Sequence, residues 1–257
     1  MAATIRANGT ATAPGGRFSG WAGLLGTPVV LLAILGALFL YLSSTPLDTI
    51  EQRSINAATI GRLLLEHINL VIVSSVAVIV IAVPLGVLLT RPAFKRVAPP
   101  FLAIANLGQA VPSVGILVLL AVTVGTGFRM ATIALVLAAL LSVLANTMVG
   151  LNSVDPALID AARGMGLTRS AVLFRVELPL AVPVVLAGVR VALILNVGNA
   201  ALATYTNAGG LGTLIASGIA LNRLPVLLAG SVLTAVLALA VDWLAGIFER
   251  LLRPRGL

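Results

Sequence analysis

Apolar residues in this chain do not alternate with polar ones at a helical or strand period. They come in long blocks, separated by short segments that carry most of the charge. The blocks fall at roughly 20–42, 68–90, 99–125, 130–150, 180–204 and 224–247. About 20 apolar residues in a helix cross the roughly 30 Å hydrocarbon layer of a bilayer. The pattern therefore predicts an all-α integral membrane protein of about six transmembrane helices. The third block is too long for one straight crossing, and Pro112 removes a backbone donor near its middle, within Gln109-Ala110-Val111-Pro112-Ser113. A kinked or broken helix is expected there. Two readings stay open for it: a wall of a solute pathway, since unpaired backbone is tolerated at membrane depth only against protein or water, or a packed kink satisfied by Ser113 or a neighbour. Residues 1–19 are polar and turn-rich and read as a flexible tail ahead of a single membrane domain, 20–257, in which the first span looks like an addition to a five-helix core.

Composition agrees with the pattern. Of 257 residues, 60% are hydrophobic and 9% charged, with a mean hydropathy of +1.14, against about a quarter charged in soluble domains. The first block is longer than the apolar core of a signal peptide and is expected to be retained. The absence of cysteine excludes disulfides, thiolate metal sites and cysteine nucleophiles. The net charge of +8 lies between apolar blocks with few aromatics, which suits lipid head groups and argues against nucleic acid. With the N-terminus inside, eleven basic residues face inward (Arg6, Arg17, Arg91, Lys95, Arg96, Arg163, Arg169, Arg175, Arg250, Arg253, Arg255) and four outward (Arg53, Arg62, Arg129, Arg223). That asymmetry predicts both termini in the cytoplasm.

The longest inward segment, 153–179, has helix punctuation. Asp155 is placed to cap a helix beginning at Pro156, Gly164 or Gly166 to end it, and a second short helix is expected from Thr168 to just before Pro179. Leu158, Ala161, Ala162 and Met165 share a face at helical spacing. The geometry fits a protein partner or a helix folded on the chain's own inner surface. Gly209-Gly210-Leu211-Gly212 lacks the Lys-Ser/Thr of a P-loop, so this chain is not expected to bind ATP; a tight turn or a gate fits these glycines. Arg190, near mid-membrane, is either a structural anchor or a pathway contact. Asn196 and Asn199 share a helix face and are read as interhelical bonds or pore lining. His67 is assigned to the outer loop at the interface, and Asp242 with Trp243 to the opposite interface. No catalytic residue or metal ligand set emerges. An intramembrane enzyme would need clustered acids, histidines or a Ser-Lys pair, and a secondary carrier would need buried acids and two matching halves.

Asp160-Ala161-Ala162, then Gly166, then Val176-Glu177-Leu178-Pro179 resemble the EAA loop of permease subunits in binding-protein-dependent ABC importers, with Asp160 in place of Glu and Val176 in place of Ile. The likeness extends to Gln109–Ser113, Asn146-Thr147, Val154–Leu158, Ala208–Gly212 and Gly218–Asn222, a set similar to the osmoprotectant branch, and covers roughly residues 65–252. The resemblance implies a type I importer permease fold in the plasma membrane of a prokaryote. It implies that Asp160, Ala161, Ala162, Gly164, Gly166, Val176, Leu178 and Pro179 form the loop that couples to an ATPase. It makes Gln109, Pro112, Ser113, Asn146, Thr147, Gly209, Gly210 and Gly212 candidates for the pathway or gate, beside Arg190, Asn196 and Asn199 from their own positions in the fifth span. ATP and Mg are expected on separate ABC ATPase subunits. A substrate-binding protein, a second permease copy or paralogue, and membrane lipids are the other implied partners, with glycine betaine or choline as cargo and methionine or another amino acid as the alternative. Where the branch often has Arg before Asn146 this chain has Ala145, so no role passes to that position.

Overall fold

The computed structural model describes residues 21–252 except 95 and 110, and within these not the side chains of 21–24, 105 and 107–109. The expected tail, 1–19, lies outside the described residues. Among those described there is no strand. The helices are α1 (Trp21–Ser44), α2 (Thr49–Ser54), α3 (Ala57–Thr90), α4 (Ala98–Gln109), α5 (Ser113–Thr123), α6 (Phe128–Asn152), α7 (Pro156–Gly164), α8 (Arg169–Val172), α9 (Leu178–Leu202), α10 (Gly212–Ala220) and α11 (Leu224–Leu252).

Five stretches are long and apolar enough to cross a membrane: α1, α3, α6, the run Arg169–Thr206 that contains α8 and α9, and α11. The expected third span is broken. α4 ends at Gln109 and α5 begins at Ser113, with Pro112 in extended backbone at the N-cap. Proline there costs the helix nothing further, because the first amides of a helix have no partner inside it. The expected second span starts too late: α3 begins at Ala57, not near 68. Asn56 caps it by accepting from the Thr59 amide at 2.8 Å, so Arg62, Glu66 and His67 continue the helix beyond its apolar block. The loop before it also contains α2, started by Asp48 and Glu51 in a reciprocal capping box.

α3, α6 and α9 pack on one another and form the centre, with Val78, Ala82, Ala139, Val143, Leu144 and Ala192 in one buried cluster and Leu70, Ala131, Leu135 and Val197 in a second. Their close approach depends on small residues, as helix association in lipid requires. A Cβ on Gly86 would lie 2.8 Å from Thr147, and one on Gly188 would lie 2.5 Å from Asn146. α5 packs on α6, α11 on α9, α10 on α11, and α1 on α11. Most of α1 is exposed on the outside of this arrangement, which fits its reading as an addition to a five-helix core.

Candidate functional site

Two ends of the bundle hold the candidate residues, joined by a polar seam along α9. At one end α7 and α8 form a helical hairpin. Asp155 Oδ1 accepts from the Ala157 amide at 2.9 Å with Pro156 in the first turn, and Gly166 makes the exit at φ +83°. Thr168 Oγ1 accepts from the Ala171 amide and starts α8. The second helix was expected to stop before Pro179; it does not. A π turn over Leu173–Glu177, closed by the Leu178 amide donating to the Leu173 carbonyl, carries α8 straight into α9. Pro179 sits in the first turn of α9, and the widened turn accommodates its missing donor. Val176 lies in the π turn, and Leu178 begins α9.

The expected apolar face of α7 divides. Ala162 is buried, whereas Leu158, Ala161 and Met165 are exposed, as are Asp160 and Gly164, with Met165 at 74%. The hairpin is fastened to α3 by Arg91, which donates to Glu177 Oε2 at 2.6 Å and to the Val87 carbonyl at 3.1 Å. Glu177 is buried. Beside this pair lies a cavity of about 510 Å³, lined in part by Arg91, Arg163, Arg169, Ser170, Leu173 and Glu177.

The seam pairs most of the polar side chains placed in the spans. Ser113 Oγ donates to Asn199 Oδ1 at 2.9 Å, tying the broken helix to α9. Asn196 Nδ2 donates to Ser75 Oγ at 3.0 Å, while its buried Oδ1 has no partner. Asn146 Nδ2 donates to the Ser142 carbonyl and Thr147 Oγ1 to the Val143 carbonyl, each within α6. Arg190 grips both carboxylate oxygens of Asp242, at 2.5 and 2.8 Å, with Glu249 at 3.6 Å from its guanidinium. Asp242 is half of this α9–α11 pair; a fixed cation in an apolar span draws its counter-ion from the neighbouring helix. The Gln109 side chain and Ala110 lie outside the described residues.

At the other end, α9 leads through Ala203–Thr206 into a loop where Asn207, Gly209 and Gly210 all have positive φ, at 59°, 77° and 88°. Gly212 opens α10 with its Cα against the Ala201 backbone. Two residues of α3 reach this loop: Glu66 Oε2 accepts from the Gly210 amide at 3.1 Å, and His67 Nδ1 accepts from the Leu211 amide at 3.3 Å. His67 Nε2 lies 3.1 Å from the Val197 carbonyl. The assignment of His67 to an interfacial loop is therefore overturned. It is wholly buried in α3, because the helix starts eleven residues earlier than its apolar block. Sequence reading missed Glu66 entirely, although a Glu-His pair heading an apolar helix was there to be seen.

Among the described residues no three His, Cys, Asp or Glu side chains converge on a metal position. The arrangement supplies helix packing, two structured ends and a polar thread between them.

A family model described as the binding-protein-dependent transport system inner membrane component matches residues 82–254. The chain belongs to this family. It is 40% identical over 231 residues to the osmoprotectant import permease protein OsmY of Salmonella typhimurium, covering 90% of this chain and 95% of that one. It is 36% identical over 192 residues to the choline transport system permease protein OpuBB of Bacillus subtilis, covering 75% and 88%. A carnitine transport permease protein of Listeria monocytogenes, OpuCD, is 38% identical over 213 residues, covering 81% and 95%. Among solved structures, the MetNI methionine ABC transporter in an inward-facing conformation superposes with a TM-score of 0.67 at 27% identity, over 75% of this chain and 95% of that one. The fold is thus that of a type I importer permease.

Proposed function

We propose that this chain is the membrane-spanning subunit of an ATP-driven importer whose cargo is a small quaternary-amine osmolyte such as glycine betaine or choline. The observation that carries the cargo is the 40% identity spread over 90% of the chain to an osmoprotectant import permease. The likeness to the methionine transporter is lower and covers less, which ranks methionine second. On this reading ATP and Mg are bound by a separate ATPase, a binding protein captures cargo outside, and a second permease copy or paralogue completes the pore. Both chain termini face the cytoplasm, as the basic asymmetry indicates. The end bearing α7 and α8 is then the inner end, and the glycine loop is the outer one.

The hairpin is the part suited to the ATPase. Its caps define α7 without outside help, and Leu158 and Met165 stand in water with nothing to cover them. Asp160, Ala161 and Gly166 lie alongside, and the π turn makes the hairpin continuous with α9. The broken helix at Pro112 lies beside a groove of about 390 Å³ between α5 and α6, lined by residues such as Val111, Ile116, Leu137 and Leu141. This face is the proposed wall of the pathway. So apolar a wall holds a cation weakly, which leaves tight capture to the binding protein. Reconstitution with the ATPase and the binding protein, assayed with radiolabelled betaine, choline and methionine, tests the cargo. Uptake of a quaternary amine is expected. Methionine uptake with none of either amine would overturn the cargo reading and leave the importer reading in place.

A further inference from the structure

Glu66 and His67 are consecutive in α3, and the amides they bind, Gly210 and Leu211, are consecutive in the loop. The two contacts form a clamp with a fixed register. His67 uses both ring nitrogens: Nδ1 accepts from Leu211, so the Nε2 proton is the one that faces the Val197 carbonyl of α9. Glu66 is held in turn by Arg62, whose Nη1 lies 2.6 Å from its other oxygen.

The loop is shaped to receive these side chains. A Cβ at Gly209 would collide with Glu66 Oε2, and one at Gly210 would lie 3.2 Å from His67 Nδ1, so both positions need glycine for the approach as well as for φ. Leu211, fully buried, plugs into Leu63, Leu214 and Val226 once the clamp is made. The clamp thus ties the centre of the loop to α3, while the Gly127 amide donating to the Thr206 carbonyl at 2.7 Å and the Thr204–Thr213 hydroxyl pair at 3.0 Å hold its flanks. The loop joins α10 to α9, and α9 is continuous with the hairpin at the far end through the π turn. One helix, α9, thus runs from the hairpin to the loop and carries the Val197 carbonyl that His67 touches.

We propose that Glu66 and His67 are positioning residues that hold the glycine loop shut in the resting importer, and that breaking their bonds to Gly210 and Leu211 opens the outer end to cargo. The proposal rests on the transport reading for what the opening admits, and on the geometry alone for what holds the loop. Because the chain has no cysteine, Leu211→Cys gives a single thiol that is buried while the clamp holds. Its labelling by a charged maleimide is measured in the full complex in nanodiscs, with ATPase and binding protein present. Glu66→Ala and His67→Ala are each expected to raise the labelling rate about tenfold, the factor corresponding to one buried hydrogen bond. Glu66→Gln, whose amide oxygen still accepts from Gly210, is expected to keep it low. A non-hydrolysable ATP analogue with loaded binding protein is expected to raise the rate with the clamp residues intact. Unchanged labelling in assembled Glu66→Ala and His67→Ala complexes would overturn the clamp. A rate insensitive to nucleotide and binding protein would overturn the opening, leaving a permanent tie. Should His67→Ala fail to assemble, the Ala and Gln variants of the half-exposed Glu66 still decide it. Labelling of the clamp variants does not depend on which cargo is carried, so failure of the betaine assay and failure of the clamp are separate results.

Discussion

The two ends of this bundle are built on opposite plans. At the glycine-loop end the backbone has little shape of its own: three positive φ angles allow the loop to adopt its course, and side chains from another helix, Glu66 and His67, hold it there. At the hairpin end the backbone largely organises itself. Asp155, Gly166 and Thr168 begin and end helices within a few residues, and Arg91 with Glu177 is the ion pair fastening the hairpin to α3. The first end is held by distant partners and buries Leu211 at its centre; the second is locally ordered and leaves Leu158 and Met165 uncovered. A part held from a distance is released by moving its holder. A part that is pre-shaped and uncovered is ready for a rigid partner, because little ordering entropy is lost on docking.

That contrast can be broken most severely at Gly166. Nothing lies within 4 Å of a Cβ placed there, yet φ is +83°, so Gly166→Leu adds about 1–2 kcal/mol of backbone strain and puts a large side chain beside α7. Uptake by the reconstituted importer is expected to fall at least about tenfold, the loss that 1.4 kcal/mol represents, with membrane insertion unchanged. Normal uptake at normal expression would show that the hairpin's shape does not matter to its partner.

Arg91→Ala is the next largest. It leaves the buried Glu177 carboxylate without its cation and is expected to cost about 2 kcal/mol, seen as a lower thermal midpoint in detergent. Adding Glu177→Ala is expected to recover part of that loss. A double variant less stable than Arg91→Ala alone would show that Glu177 has a supporting partner other than Arg91.

The smallest effect sharpens the claim of local order. Asp155→Ala removes one cap and is expected to cost about 1 kcal/mol, confined to faster hydrogen exchange in the first turn of α7. Faster exchange spread equally into the glycine loop would mean that the hairpin is not independently ordered.

Much of this is legible in the sequence. Apolar blocks, Pro112 and the Asp155–Gly166 punctuation are local signals, each read within about 20 residues. They located the spans, the break and α7. What was missed is non-local or cuts against hydropathy. The start of α3 is set by Asn56 and by ordinary helix formers, so an apolar ruler began the helix near 68 and left His67 in a loop. The pairing of Arg190 with Asp242 joins residues 52 apart, and the clamp joins residues 144 apart; neither spacing has a sequence signature. Pro179 was read as a stop because proline lacks a donor, whereas the π turn before it absorbs that lack.

The same turn has a geometric consequence. Each residue rotates an α-helix by about 100°, and the turn at Leu173–Glu177 holds one residue more than an α turn would. The compass bearing at which α7 leaves the membrane domain is therefore stored as a residue count. Removing one residue from the widened turn would swing the whole hairpin by more than a quarter of a circle without altering any residue of α7 or α9. Helices that meet an external machine face to face need such an aiming device, because the membrane sets their tilt but not the direction in which they point.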